Sequence, residues 1–528
     1  MEFKRNKTVA VRLFISSLLA LQGIAQEIHP ISISSKETIA VDSTQYYKEP
    51  FRPQFHFSPE KKWMNDPNGL LYYKGIYHLF YQYYPEDIVW GPMHWGHATS
   101  TDLIHWQHKK MALFPDHLGY IFSGSAVMDV NNTSGLGTKE NPPMIAIFTY
   151  HNMEFEKSGK INTQTQGLAY SLDEGTTWKK YEANPIINNT TFRDFRDPKV
   201  FWNEDAKIWN LVLVAGDRAQ FYTSNNLLHW KLEGEFGQNN GAHGGVWECP
   251  DLFKLKIDGT QEEKWVLLVS INPGAPNGGS GIQYFIGDFD GKTFTTAQKE
   301  IKWVDYGTDN YAGVTYNDAP KNERVFLGWM SNWNYARNTP TTNWRSAMTL
   351  ARTLSLSTIN GDYVLQSKPV EPFKKQLTTD YSKEKIEIEK GNEKTFVYSK
   401  LNQSQIQFNA KNKNLKLIFT NEANDLLVLN YDAKKQIFEI DRRHSGKVNF
   451  EKSFGEKIHT TLTPNLGSKS LDFQIILDWS SIEIFLNQGV YTFTEQLFPN
   501  QPYTKLIIQS SENQEIKNIY FQSVKGIW

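Results

Sequence analysis

Cysteine is almost missing from this chain. Among 528 residues only Cys249 carries a thiol, which excludes an intrachain disulfide and leaves no thiol near the N-terminus for a lipid anchor. Charge imbalance is missing too: 56 Lys and Arg face 57 Asp and Glu, a formal net charge of −1. No general attraction to nucleic acid or anionic membranes follows, so a partner must be recognised locally. Beyond the N-terminal region no apolar run reaches the roughly 18 residues of a membrane-spanning helix. Helical periodicity of apolar residues is nearly absent. Neither a phosphate-cradling G-x-x-x-x-G-K-[ST] loop nor a G-x-S-x-G nucleophile turn occurs.

What is present begins with a basic stretch, "MEFKRNKTVAVR", a short apolar run, "LFISSLLAL", and small residues at Gly23-Ile24-Ala25. This pattern predicts a secretory signal peptide over 1–25 and export to the periplasm or medium, without a membrane anchor. A polar leader segment, 26–49, follows. From about residue 50 the chain reads as short strands rich in aromatic and β-branched residues, such as "GLLYYKGIYHLFYQYYP", "PPMIAIFTYH" and "KIWNLVLVAG", set between Gly, Pro, Asn and Asp clusters.

A loose repeat sharpens that reading. "STDLIHWQH", "YSLDEGTTWKKY" and "YTSNNLLHWKL" each join a strand-like run to a turn and a Trp, and "GDFDGKTFTT" is a weaker relative. The aromatic positions Trp106, Trp178, Trp230 and Phe294 are spaced by about one four-stranded blade, which predicts an all-β fold with a five-bladed β-propeller over 50–365. "KPVEPFKKQL" marks a linker at 366–380. Over 381–528 segments such as "NLKLIFT", "KQIFEID" and "SIEIFLN" alternate strictly, which predicts a β-sandwich whose strands have one buried and one solvated face.

Three acids stand in unusual turns: Asp66 in "WMNDPNG", Asp197 in "FRDPKV" and Glu248 in "WECPDLF". Each precedes a Pro directly or after one residue, and Pro favours an extended or turn conformation before it. Singly, each has a plain structural explanation as a turn residue, ion-pair member or strand-end acid. Together, on strand ends of separate blades, they would meet in one funnel. Two carboxyls facing one glycosidic bond are what glycoside hydrolysis needs.

With these motifs in this order, and with "FSGSAV" and "WSSIEIFLNQG" between and after them, nearly all of the mature chain resembles glycoside hydrolase family 32, the β-fructofuranosidases, inulinases and levanases. The resemblance implies a five-bladed propeller followed by a sandwich, no cofactor, no metal, and a fructan or fructo-oligosaccharide substrate. It makes Asp66 the nucleophile, Glu248 the general acid/base and Asp197 the transition-state stabiliser of a retaining reaction, with the two reacting carboxyls about 5–5.5 Å apart. It places Asn65, Gln82, Trp90, Phe122, Ser123 and Arg196 around the terminal fructose and Trp333, in the segment 328–356, at the rim. Trp247 and Cys249 are expected to give Glu248 the poorly solvated surroundings that raise a carboxyl pKa, while Asp66 stays ionised. One departure is visible: the family usually has Pro before Arg in its "LPRxL" segment, and Ala351 precedes Arg352 here, which is expected to alter a local bend.

Other readings share some of these residues. "SLDEGTTW" matches the Asp-box of sialidases, without the converging Arg residues such an enzyme needs. His94/His97 and His105/His108 are spaced i, i+3, but in strands these positions face opposite ways, which disfavours a zinc site. A fructan-binding protein without chemistry would not need Glu248, whereas fructosyl transfer or endo attack would use the same three acids. Exo attack is the expectation taken from the 328–356 segment.

Overall fold

A two-residue turn shows how local sequence starts the first sheet. In "LLYYKGIYHLF" the alternating aromatic and aliphatic residues form strands that meet across Lys74 and Gly75, both at positive φ (46° and 88°). That is the tight hairpin geometry Gly favours. The computed structural model describes residues 46–466 and 469–528, one unit from Gln45 to Trp528. The signal-peptide reading and most of the leader segment lie outside the described residues.

Five sheets follow in chain order, antiparallel except where Trp344–Arg345 pairs in parallel with the first strand. Their innermost strands are β1 (Lys62–Tyr73), β2 (Tyr120–Met128), β3 (Phe195–Asn203), β4 (Val246–Lys256) and β5 (Tyr311–Thr315). Each packs on the next, and β5 packs on β1, closing a five-bladed propeller. Strand Met144–His151, "MIAIFTYH", is buried along its whole length because apolar side chains leave both faces to pack between blades.

The repeated turns form the outer hairpins of four blades. Asp102 Oδ1 accepts from the amides of Ile104 and His105 (3.0 and 2.8 Å), Asn226 Oδ1 from Leu228 and His229, and Asp290 Oδ1 from Lys292 and Thr293. Asp173 accepts from Ser171 Oγ and the Thr177 amide. A short polar side chain folds the turn onto its own backbone, and the following Trp178 or Trp230 indole donates to a turn carbonyl. The Asp-box lookalike is this rim device. The four histidines take separate partners: His94 pairs with the Pro92 carbonyl, His97 with His78, His105 with Asp102 and His108 with Tyr47.

The last propeller strand runs to Pro369, a short 3-10 helix spans Glu371–Gln376, and the sandwich begins at β6 (Leu377–Ile388). Two six-stranded sheets enclose an apolar core that includes Phe408, Leu417, Phe438, Ile475 and Ile508. Strands such as Leu415–Thr420 alternate buried and less buried positions. Others do not: β6 is exposed along most of its length, whereas β7 (Ser481–Leu486) and β8 (Tyr491–Gln496) are buried throughout. The expectation of a solvated face fails for "SIEIFLN" because that face packs on the propeller, where Phe485 and Ile476 join Phe55, Phe373 and Val370.

Buried charged groups pair directly across this interface. Arg352 bonds Asp305 (2.9 Å) and Glu483, whose Oε1 accepts from the Leu350 amide (2.8 Å). His56 lies between Asp478 (2.8 Å) and Glu483 (2.7 Å). Arg442 bonds Asp309 and Glu495, both at 2.7 Å. Burial alone would lower the His56 pKa, but hydrogen bonds and charge from Asp478 and Glu483 outweigh it and raise it to about 9. Ala351, where Pro was expected, is buried, and its carbonyl accepts from the Val370 amide (3.0 Å), next to the last propeller strand.

Two outcomes follow from these buried pairs. Arg352→Met leaves Glu483 and Asp305 without their counter-charge and is expected to cost about 3–5 kcal/mol in urea unfolding. His56 holds its proton up to about pH 9 when folded but releases it near ~6.5 when unfolded. Its stabilisation is therefore complete below the unfolded value and lost as pH rises through the folded one. The urea midpoint should decline between those limits, and the decline should shrink in His56→Gln.

Candidate active site

Every innermost strand carries an irregularity at the same level. Two residues oppose one neighbour in each blade: Asn65-Asp66 face Gln82, Phe122-Ser123 face Thr149, Asp197-Pro198 face Leu213, Cys249-Pro250 face Val269, and Ala312-Gly313 face Gly328. Such bulges kink a strand and re-aim its side chains. In three consecutive blades the first bulge residue sits at positive φ: Asp197 at 62°, Cys249 at 44° and Ala312 at 53°. For Asp197 and Cys249 the conformation before Pro is thus left-handed, not extended. Pro suits these bulges because the extra residue has no ladder partner for an N–H.

The shared register explains which side chains meet. Arg196, Glu248 and Tyr311 each stand just before the bulge of adjacent blades. Arg196 Nη1 donates to Glu248 Oε1 (3.0 Å), the Tyr311 hydroxyl donates to Glu248 Oε2, and Arg196 Nη2 is held by Asp194. The first bulge residues meet likewise, the Cys249 amide donating to Asp197 Oδ2 (2.9 Å) while the Asp197 amide donates to Thr149 Oγ1 (2.9 Å). In the first two blades Ser123 Oγ donates to Asp66 Oδ2 (2.7 Å) and Asn65 Nδ2 to Asp66 Oδ1 (3.0 Å). The Cys249 thiol lies 3.6 Å from both Asp66 and Asp197.

The three acids, with Asn65, Ser123, Asp194 and Arg196, line one open cavity of about 440 Å³. All ten residues singled out in the sequence border it: Asp66, Asp197, Glu248, Asn65, Gln82, Trp90, Phe122, Ser123, Arg196 and Trp333. Trp333 packs on the buried Trp63 (centroids 5.9 Å apart, 26° between planes) and on Trp329, with the Arg337 guanidinium 5.7 Å from its ring centre. Across the cavity Phe122 stacks flat on His151 (4.3 Å, 1°), which Gln164 and Glu156 hold, and Trp90 meets Phe122 edge-on.

Burial raises all three carboxyl pKa values. Asp197 reaches about 7, through burial first, with the charges of Glu248 and Asp66 adding and Arg196 opposing. Three carboxyls this close cannot all ionise cheaply. For Asp66 the donors Ser123, Asn65 and Cys249 favour the charged form against burial. For Glu248 burial and the Asp66 charge raise the pKa while Arg196 and Tyr311 lower it. Trp247 has no part in this. Its indole turns away, packs against Val269 and Phe285 and donates to the Ala242 carbonyl (2.9 Å), because alternate residues of a strand face opposite sides.

Sequence reasoning missed Asp194, Thr149, Tyr311, His151 and Arg337. A repeated "RD" in "FRDFRDP" points at Asp194. Tyr311 carries no local signal, because only the shared bulge register brings it to Glu248.

The profile described as the glycosyl hydrolases family 32 N-terminal domain matches residues 56–369, and the family 32 C-terminal profile matches 372–525. The chain belongs to glycoside hydrolase family 32. Among similar proteins, a levanase of Bacillus subtilis is 42% identical over 93% of this chain and 72% of its own length. An extracellular exo-inulinase of Aspergillus awamori is 42% identical over 86% of this chain and 90% of its length. The crystal structure of exo-inulinase from Aspergillus awamori superposes with a TM-score of 0.84 at 38% identity, covering 91% of this chain and all of that one. The β-fructofuranosidase of Schwanniomyces occidentalis complexed with fructosyl-erythritol gives 0.82 at 32% identity, over 92% and 99%. This family 32 member is a glycoside hydrolase.

Because the Tyr311 hydroxyl stabilises ionised Glu248, its removal in Tyr311→Phe should raise the Glu248 pKa. The basic limb of the pH dependence of kcat/KM should then move to higher pH; an unmoved limb would separate that limb from Glu248.

Proposed function

We propose that this glycoside hydrolase is a retaining exo-β-fructosidase that releases terminal fructose from fructans and fructo-oligosaccharides. The observation that carries the reading is the convergence of Asp66, Asp197 and Glu248 on one cavity whose remaining lining, Asn65, Gln82 and Arg196, supplies hydrogen-bond partners for sugar hydroxyls. The printed names of its relatives, levanase and exo-inulinase, support the substrate class. Trp90 and Phe122 wall the pocket with apolar surface suited to a ring face.

In this mechanism an Asp66 carboxylate oxygen attacks the anomeric carbon while Glu248 transfers its proton to the departing glycosidic oxygen. The covalent fructosyl-enzyme is then hydrolysed by a water that gives its proton back to Glu248, restoring both groups and retaining the anomeric configuration. Asp197 accepts hydrogen bonds from ring hydroxyls and offsets positive charge on the oxocarbenium-like transition state. Arg196 fixes the Glu248 carboxyl in place. Action on polymers outside the cytoplasm is supported by relatives that carry the word extracellular in their names and by the N-terminal basic and apolar pattern.

A time course on levan, inulin and sucrose tests the reading. Fructose is expected as the sole early product, with no product from Asp66→Asn. A ladder of oligosaccharides at the first time points would make it an endo-enzyme, and inverted product anomer would overturn the covalent route. Glu248→Gln should lower kcat by about 10²–10⁴-fold, with a smaller loss on substrates whose leaving group needs no proton.

A further inference from the structure

A second cleft, larger than the catalytic one, lies elsewhere on the chain. It measures about 920 Å³, against about 440 Å³ for the cavity around Asp66, and lies where Pro50 and Phe51 run along the sandwich. Half-buried Trp479 lines it. The indole is fixed: its Nε1 donates to Gln403 Oε1 (3.2 Å), and Gln403 Nε2 in turn donates to the Val524 carbonyl (3.0 Å). A clamped aromatic ring beside open space is a preformed surface for an apolar ring face.

The polar lining narrows the ligand class. No carboxylate is found among the described residues that line the cleft. Of its three lysines, Lys400 is neutralised by Asp380 (3.3 Å) and Lys447 lies over the Phe51 ring (5.3 Å). The side chains of Asn402 and Gln501 and the ammonium of Lys525 line the same space and have no hydrogen-bond partner among the described residues. An aromatic platform, free amides and little unbalanced charge suit a neutral polyhydroxyl ligand better than an anion.

We propose that this cleft is a second carbohydrate site, which binds a segment of the fructan polymer by stacking on Trp479 and hydrogen bonding to Asn402, Gln501 and Lys525. The proposal rests on the fructan reading of the catalytic pocket. A second site on the same chain raises the effective concentration of polymer at the enzyme without altering chemistry on a short substrate.

The test compares Trp479→Ala and the surface double variant Asn402→Ala/Gln501→Ala with the parent enzyme. KM on levan or inulin should rise about tenfold, equivalent to ~1.4 kcal/mol of binding, while KM and kcat on a fructosyl trisaccharide stay unchanged. In gels containing either fructan, with excess fructose occupying the catalytic pocket, the variants should lose the parent's retardation; dextran gels should retard none of them. Unchanged polymer KM and retardation in the double variant, with trisaccharide turnover intact, would overturn the second site. Equal retardation in dextran would overturn its assignment to fructan. Failure of the parent to cleave any fructosyl substrate would instead sink the catalytic reading.

Discussion

Three carboxyls gathered at the axis of a propeller, largely out of water, are the constraint on which the rest of this structure turns. Each desolvated carboxylate is costly alone and more so beside its like. The molecule answers with donors: Arg196 and Tyr311 on Glu248, Ser123 and Asn65 on Asp66, the Cys249 amide on Asp197. A two-for-one bulge in all five inner strands aims these groups at the axis, including left-handed residues at Asp197 and Cys249 that cost of order 1–3 kcal/mol each. Strain of that size persists only where surrounding pairing over-determines the backbone, as the closed ring of blades does here.

The sandwich contributes to the same site from a distance. Tyr335 lies in the rim segment between Trp333 and Arg337, and its hydroxyl donates to Asp309 (2.7 Å) and accepts from Arg442 Nη2 (2.9 Å). Arg442 belongs to a sandwich strand and also bonds Glu495. The rim that holds Trp333 is therefore tied through Tyr335 to buried charges of the second domain. Some of those charges are balanced only across the interface: separating the domains would take Arg352 and His56 away from Glu483 and Arg442 away from Asp309. A solvated sandwich face would have needed none of them.

Much of this architecture was legible in the residues themselves. Period-two alternation and turn chemistry at Asp102, Asp173, Asn226 and Asp290 have local causes, so the strands, the blade repeat and the sandwich could be read directly. The three acids could be singled out because their motifs are short and contiguous, whereas their pocket neighbours were named from the family resemblance. Where the reading failed, the missing information was long-range. β7 looks half-solvated in isolation, and only the docked propeller explains why Glu483 is buried.

Sequence alone thus determined the all-β class, the repeat of outer turns and the identity of the acids, since each depends on neighbours within a few positions. Tertiary structure alone decided that Tyr311 and Asp194 control the surroundings of Glu248, that Trp247 faces away, and that Asp197 has the carboxyl pKa pushed to about 7. Those outcomes depend on which side chains from separate blades share a bulge register and how much water remains between them. Neither quantity is written in any contiguous stretch of the chain.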